Sequence, residues 1–431
     1  MESPLNKKAL LITYYWPPSG GSPVLRWLKF TKYLPEYGWD ISVYTPDNPV
    51  PQAIDEDLLH EVPLGTSIYK TRIKEPANSF GLKKNNNTQA TGFISGKGKK
   101  SLLSEIAVWI RGNIFIPDAR MCWIRPSVKK LTKLLKQKHF DTIITTGPPH
   151  SMHLIGLGLK QKTGIKWMAD FRDPWTNIDY YPELKLTKRA DKKQHRLEKA
   201  VLENADVVVT VSPTMTQEFV AMGARKVVTI TNGYDEPELK KPVNRDCRFS
   251  ILHLGSMPKS RNPEQLWPVL GELVKENQAF RNDLKIHLIG KVDASILEAI
   301  KENGLNTNLF TEDQMPNQKA IQRQQAAQVL LLVINNTPNA KGILTNKFFE
   351  YMMVKRPILC VGPTNGDAAS ILKQTGSGRI FDYSDQENLK AQVQEYYNQF
   401  KAEKLEISSE ATDIYSRKKL AGKIASELNK L

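Results

Sequence analysis

Short runs rich in β-branched and aromatic residues alternate with amphipathic stretches along almost the whole chain. The runs predict strands at 9–15, 41–45, 142–146, 166–170, 207–211 and 227–231. A second series follows at 250–254, 285–289, 329–334, 357–361 and 379–381. Between them, stretches such as 24–35, 263–275 and 346–354 place apolar residues at helical spacing. Alternation of this kind builds βαβ units around parallel sheets with right-handed crossovers. Eleven strands are more than one open sheet holds comfortably, so the pattern predicts two sheets. The break falls in "NGYDEPELKKPVNRDCRFS", residues 232–250, polar and proline-bearing between two strand patterns. The expected architecture is α/β, with two doubly wound, Rossmann-like domains facing across a cleft. Their expected extents are 1–235 and 249–407, joined by a linker at 236–248. Residues 408–431 read as a helix that crosses back over the junction.

Composition narrows the function classes. The chain has 431 residues, 40% hydrophobic and 25% charged, an ordinary globular mix. No apolar run reaches the roughly 18 residues of a membrane-spanning helix. Lys7 and Lys8 precede an apolar run, but Thr13, Tyr14 and Tyr15 interrupt it and Pro17-Pro18 ends it without a small-residue cleavage site. That run reads as a buried strand. Three dispersed cysteines, Cys122, Cys247 and Cys360, suggest neither a disulfide framework nor a metal cluster, and a reducing cytoplasm is expected.

The net charge is +16, and it is uneven. Residues 83–138 carry 13 basic residues against Glu105 and Asp118 alone. Within them, the Asn-, Gly- and Lys-rich segment 83–100 is expected to be a mobile loop. A basic excess suits nucleic acid, an anionic membrane or a phosphorylated ligand. No recognised nucleic-acid-reading module accompanies it, which sets nucleic acid aside. Lys97, Lys99, Lys100, Arg111, Arg120 and Arg125 interleave with Trp109, Phe115 and Trp123. That arrangement makes an anionic membrane surface an expected partner, with peripheral attachment on the inner face of the cytoplasmic membrane.

The candidate chemistry lies where strands end, because open α/β sheets bind ligands beyond their carboxyl edges. Gly20, Gly21 and Ser22 follow the first strand and open a helix, where backbone can approach an anion. The spacing is not that of a dinucleotide fingerprint. "TTGPPHSMH", 145–153, puts His150 at a helix start, and "MADFRDPW", 168–175, sets Asp170, Arg172 and Asp173 just past a strand. His150, Asp170 and Asp173 are the candidate catalytic residues of an expected polar cleft. In the second half, Lys259 and Arg261 follow Gly255, positioned to grip phosphate oxygens. Thr345, Asn346, Lys347 and Glu350 sit around a further helix start, with Lys347 and Glu350 about one turn apart. Asp55-Glu56-Asp57 reads as a solvated acidic turn rather than a metal motif.

Together "LITYYWPPSGG", "GPPHS", "ADFRDPW", "TNGYD" and "TNKFFEYMMVKRPIL" resemble the family-4 glycosyltransferases, bacterial retaining enzymes of the GT-B fold. The resemblance covers nearly the whole chain and is weakest at 48–125. It implies a nucleotide-sugar donor bound mainly by the C-terminal domain, a saccharide or lipid-linked acceptor bound by the N-terminal one, and neither metal nor cofactor. It implies that Glu350, the second glutamate of the family's E-x7-E element, holds the donor ribose, and that Gly21 lies against the diphosphate. Gly342 stands where the first glutamate is usual, and Ser256 where the diphosphate arginine is usual, with Arg261 filling the lysine role. The expected function is sugar transfer in cell-surface polysaccharide or glycan biosynthesis. A nucleotide-sugar epimerase of the same fold and a non-catalytic nucleotide-sugar or polyanion-binding protein stay open as alternatives.

Overall fold

A computed structural model describes residues 6–51, 53–75, 102–235, 243–407 and 411–431. The expected loop at 83–100 and most of the expected linker lie outside the described residues. The chain forms two compact units, one containing the N-terminal half to Gly233 together with Arg417–Leu431, the other running from Tyr234 to Ser416.

The N-terminal unit is built on seven parallel strands: β1 (Lys7–Ile12), β2 (Trp39–Pro46), β3 (Ile68–Thr71), β4 (Thr142–Gly147), β5 (Lys166–Phe171), β6 (Val207–Thr210) and β7 (Val227–Thr229). Their order is β3-β2-β1-β4-β5-β6-β7. Strand β1 shows why the sheet is buried on both faces. Ala9 and Leu11 pack on one side with Trp27, Phe30 and Trp39, whereas Leu10 and Ile12 pack on the other with Ile155 and Trp167. Period-two alternation sends successive side chains to opposite faces, so a continuous apolar run is what helices on both sides require. The helix Arg417–Asn429 completes the first face with Leu420, Ile424 and Leu428.

The C-terminal unit repeats the plan with β8 (Phe249–Leu254), β9 (Leu284–Ile289), β10 (Leu309–Glu312), β11 (Val329–Val333), β12 (Ile358–Val361) and β13 (Gly378–Phe381). Their order is β10-β9-β8-β11-β12-β13. In β11, Val329, Leu331 and Val333 face one core, and Leu330 and Leu332 the other.

The two strands beyond the expected eleven, β3 and β10, are both sheet edges. Their residues Ile-Tyr-Lys-Thr and Leu-Phe-Thr-Glu are half exposed and mixed in polarity, as an edge allows. Each sheet also reverses its direction of growth once, between β1 and β4 and between β8 and β11. Those reversals open crevices at the strands' carboxyl ends.

The aromatic residues of the basic segment need one correction. Trp123, expected at a lipid surface, is 1% exposed and stacks on Tyr44 at 5.1 Å; Phe115 is also buried. Trp109 stays 44% exposed on the helix Leu102–Asn113. No helix among the described residues is long and apolar enough to cross a membrane.

Candidate functional site

The reversal in the N-terminal sheet gathers the loop after β1, the segment 147–150 after β4 and Asp170–Asp173 at the end of β5. Gly20 is buried and donates its backbone N–H to the Ala53 carbonyl at 2.8 Å, so it holds the loop together. Gly21 adopts φ +90, a left-handed conformation that glycine takes without strain, and caps the helix Ser22–Tyr33. Gly21 and Ser22 are exposed, and no acidic side chain lies in that helix's first turn.

Asp170 corrects the sequence reading. Its side chain is 0% exposed and accepts hydrogen bonds from Arg26 (2.9 and 3.1 Å), Trp27 Nε1 (2.7 Å) and Thr146 Oγ1 (2.8 Å). Arg26 in turn donates to the Ile230 and Thr231 carbonyls at 2.7 Å each. Asp170 is therefore an internal anchor tying helix Ser22–Tyr33 to β4, β5 and the segment after β7. A carboxylate saturated by four donors and sealed from water has no lone pair for a substrate.

Arg172 is likewise spent on backbone, donating to Pro23 (2.7 Å), Gly147 (3.2 Å) and Pro148 carbonyls. Asp173 meets solvent. Burial of its surroundings pushes its carboxyl above the usual range against the pull of Arg172, and Asp179 adds to the push. His150 is nearly buried and stacks on Trp175 at 4.7 Å. Burial first, then His153 and Arg172, hold its imidazole well below the usual histidine range, so it is neutral at physiological pH. The helix start beside it is already occupied, because Asp118 accepts from the Ser151 N–H and hydroxyl, both at 2.8 Å. Sequence reading missed the neighbouring network in which Tyr14 donates to Glu75 at 2.5 Å and Arg120 lies over the Tyr14 ring at 4.6 Å.

The C-terminal unit's reversal assembles a different set. Strand β8 ends at Gly255, which adopts φ +102. A Cβ there would collide with the Lys347 ammonium and come within 2.6 Å of its Cε. The backbone conformation calls for glycine, and a side chain there would also have to push the end of the Lys347 side chain aside. Gly290, after β9, lies so close that a Cβ added there would come within about 3.0 Å of the Gly255 backbone. Arg261 donates to Asn335 Oδ1 (2.7 Å), beyond β11, and Tyr383, beyond β13, donates to the Asn335 carbonyl (2.9 Å). Thr345 caps the helix Asn346–Met353, its hydroxyl accepting from the Phe348 N–H. Tyr351 accepts from the Leu254 N–H at 3.0 Å and so fixes that helix against β8.

Electrostatics mark this spot. Burial, then the Arg261 charge, pulls the Lys347 ammonium from 10.5 down to about 8, while Glu350 opposes the fall. His253, buried behind it on β8, is held down to about 3 by burial and then by Lys347. Lys347, Arg261, Glu350 and the helix start are therefore brought together with Thr345 and Asn346. Lys259 is exposed on the turn Lys259–Arg261, where its charge reaches Asp293. Gly342 ends the short turn Ala340–Gly342 and brings no carboxylate. Sequence reading missed Asn335 and Tyr383, which lie past strand ends and could have been found by that rule alone.

A family model described as Glycosyltransferase Family 4 matches residues 92–237, about a third of the chain. No curated protein matches. Among solved structures, sucrose-phosphate synthase from Thermosynechococcus elongatus is similar at 13% identity, TM-score 0.61 and 99% coverage of both chains. Anabaena HepE in complex with UDP is similar at 12% identity and TM-score 0.61, covering 99% of this chain and 100% of that one. An S. aureus TarM variant in complex with fondaparinux, α-GlcNAc-glycerol and UDP is similar at 13% identity and TM-score 0.58, covering 98% and 100%. The fold is the GT-B fold of glycosyltransferases, and the family match supports a glycosyltransferase.

Proposed function

We propose that the chain transfers a sugar from a nucleotide-diphospho-sugar to a saccharide or lipid-linked acceptor, with the C-terminal unit holding the donor diphosphate. The observation that carries this reading is the Lys347 ammonium laid across Gly255 beside Arg261, at the start of the helix Asn346–Met353. Two cations held close together in a partly buried spot repel each other, and a diphosphate relieves both. Their charge matters most as the sugar–phosphate bond breaks and negative charge collects on the leaving nucleoside diphosphate. These cations and the helix start would do what a metal does in other transferases. Glu350, one turn into the helix, accepts from the ribose hydroxyls.

The acceptor oxygen attacks the anomeric carbon as the phosphate oxygen departs, and the acceptor proton passes to that phosphate oxygen. Such a front-face route keeps the anomeric configuration. The nucleotide-sugar donor in this reading is supported by UDP in the HepE complex and by UDP together with fondaparinux and α-GlcNAc-glycerol in the TarM complex.

The Lys347 shift gives a test. Diphosphate binds the charged ammonium, so affinity is full below about pH 8 and falls as pH rises through it. Without ligand the sign reverses. The unfolded lysine keeps its proton to about 10.5 while the folded one releases it near 8, so this group's contribution to stability rises between those values. Calorimetric titration with UDP and GDP on both sides of pH 8 reads the first effect. Lys347→Gln should bind weakly with no inflection near 8; an unchanged profile in that variant would remove the diphosphate from this site.

A further inference from the structure

The basic excess is not spread evenly over the N-terminal unit. The helix Ile124–Gln137 and the following residue carry Arg125, Lys129, Lys130, Lys133, Lys136 and Lys138 with no acidic residue among them, and all six are exposed. Its apolar face is used: Val128 and Leu131 are buried in the core. The edge strand β3 lies alongside. Lys130 donates to the Lys70 carbonyl at 2.6 Å, and Lys138 reaches the Tyr69 hydroxyl at 3.0 Å and lies over its ring. Lys70, Arg72 and Lys74 are themselves exposed there, beside Ile68, which is 40% exposed. Among the described residues no carboxylate forms an ion pair with any of these cations.

Another basic helix of the same unit does carry counter-charges. The helix Lys188–Asn204 intersperses Asp191, Glu198 and Glu203 among its basic residues, and Lys199 pairs with Glu203 at 3.7 Å. A face built without one counter-charge costs self-repulsion, and an extended anionic surface offsets it.

We propose that the face formed by the helix Ile124–Gln137 and β3 docks on an anionic lipid membrane. The proposal stands apart from the transfer reaction, since it uses none of the residues assigned to it. Lipid fits better than nucleic acid, because single-stranded nucleic acids need open aromatic rings to stack on. Here Tyr69 is covered by Lys138, and Trp123 is buried. Apolar groups suited to the headgroup boundary are exposed instead: Ile68 on the face itself, and Ile106, Trp109 and Ile114 in the segment leading to the helix.

The test is co-sedimentation with phosphatidylcholine vesicles made with and without phosphatidylglycerol. The expected result is binding that requires the anionic lipid and fades with salt. Each lysine near such a surface contributes about fivefold to binding. The variant Lys129→Gln/Lys130→Gln/Lys133→Gln/Lys136→Gln should therefore bind at least about a hundredfold less tightly, with unchanged melting temperature. Lys192→Gln/Lys193→Gln on the helix Lys188–Asn204 should bind as the wild type does. Equal binding to neutral vesicles, undiminished binding of the quadruple variant, or preference for a homopolymeric RNA over the anionic vesicles would each overturn the proposal.

Discussion

Asp170→Ala should destabilise the N-terminal unit by about 3–5 kcal/mol, because it strands a guanidinium inside the protein. Arg26 would keep its bonds to the Ile230 and Thr231 carbonyls but lose the one carboxylate that pairs with it among the described residues. Trp27 and Thr146 would lose their acceptor as well. Asp170→Asn keeps the shape and some of the bonds and should lose less. Arg26→Met combined with Asp170→Leu removes both charges and should recover part of the loss, since the cost is the unpaired ion rather than the missing attraction. Urea unfolding of the four proteins reads this order. A normal melting curve for Asp170→Ala with abolished turnover would return Asp170 to the catalytic list.

The second large effect concerns the donor site. Glu350→Ala should lower kcat/KM by about 2–4 kcal/mol, the worth of one or two hydrogen bonds to a charged group, with little change in folding. Lys347→Ala should lose a comparable amount, weighted towards kcat because its charge counts most as the diphosphate leaves. Were Glu350 only the helical partner of Lys347, its removal would cost just ~0.3–0.5 kcal/mol. Steady-state kinetics with melting temperatures as the control distinguishes the two, and near-normal turnover in Glu350→Ala rules out the ribose contact.

These two sites differ in how far the chain announced them. The core strands were plain because both faces of each sheet are covered, which forces continuous apolar runs such as Ala9–Ile12 and Val329–Val333. Edges β3 and β10 have solvent on one side and no such constraint, so their polarity hid them. Asp170 was found as a charged residue at a strand end, but its direction was not. Its partner Arg26 is 144 positions away, in a helix whose pattern alone would have put an arginine outside. The stretch from Thr345 to Glu350 was visible because cap, lysine and glutamate are contiguous. That Lys347 would lie across Gly255 was not, since only the fold of β8 against the helix Asn346–Met353 brings them together.

The central claim is sugar transfer driven by a diphosphate leaving group. The most direct measurement incubates the protein with a panel of nucleotide-sugars and saccharide or lipid acceptors, and follows released nucleoside diphosphate together with product mass. Transfer predicts one diphosphate released per glycosylated acceptor, none without acceptor, and a deep loss of both signals in Glu350→Ala. Nucleotide-sugar that binds without release, or that returns as an epimerised sugar, would contradict it.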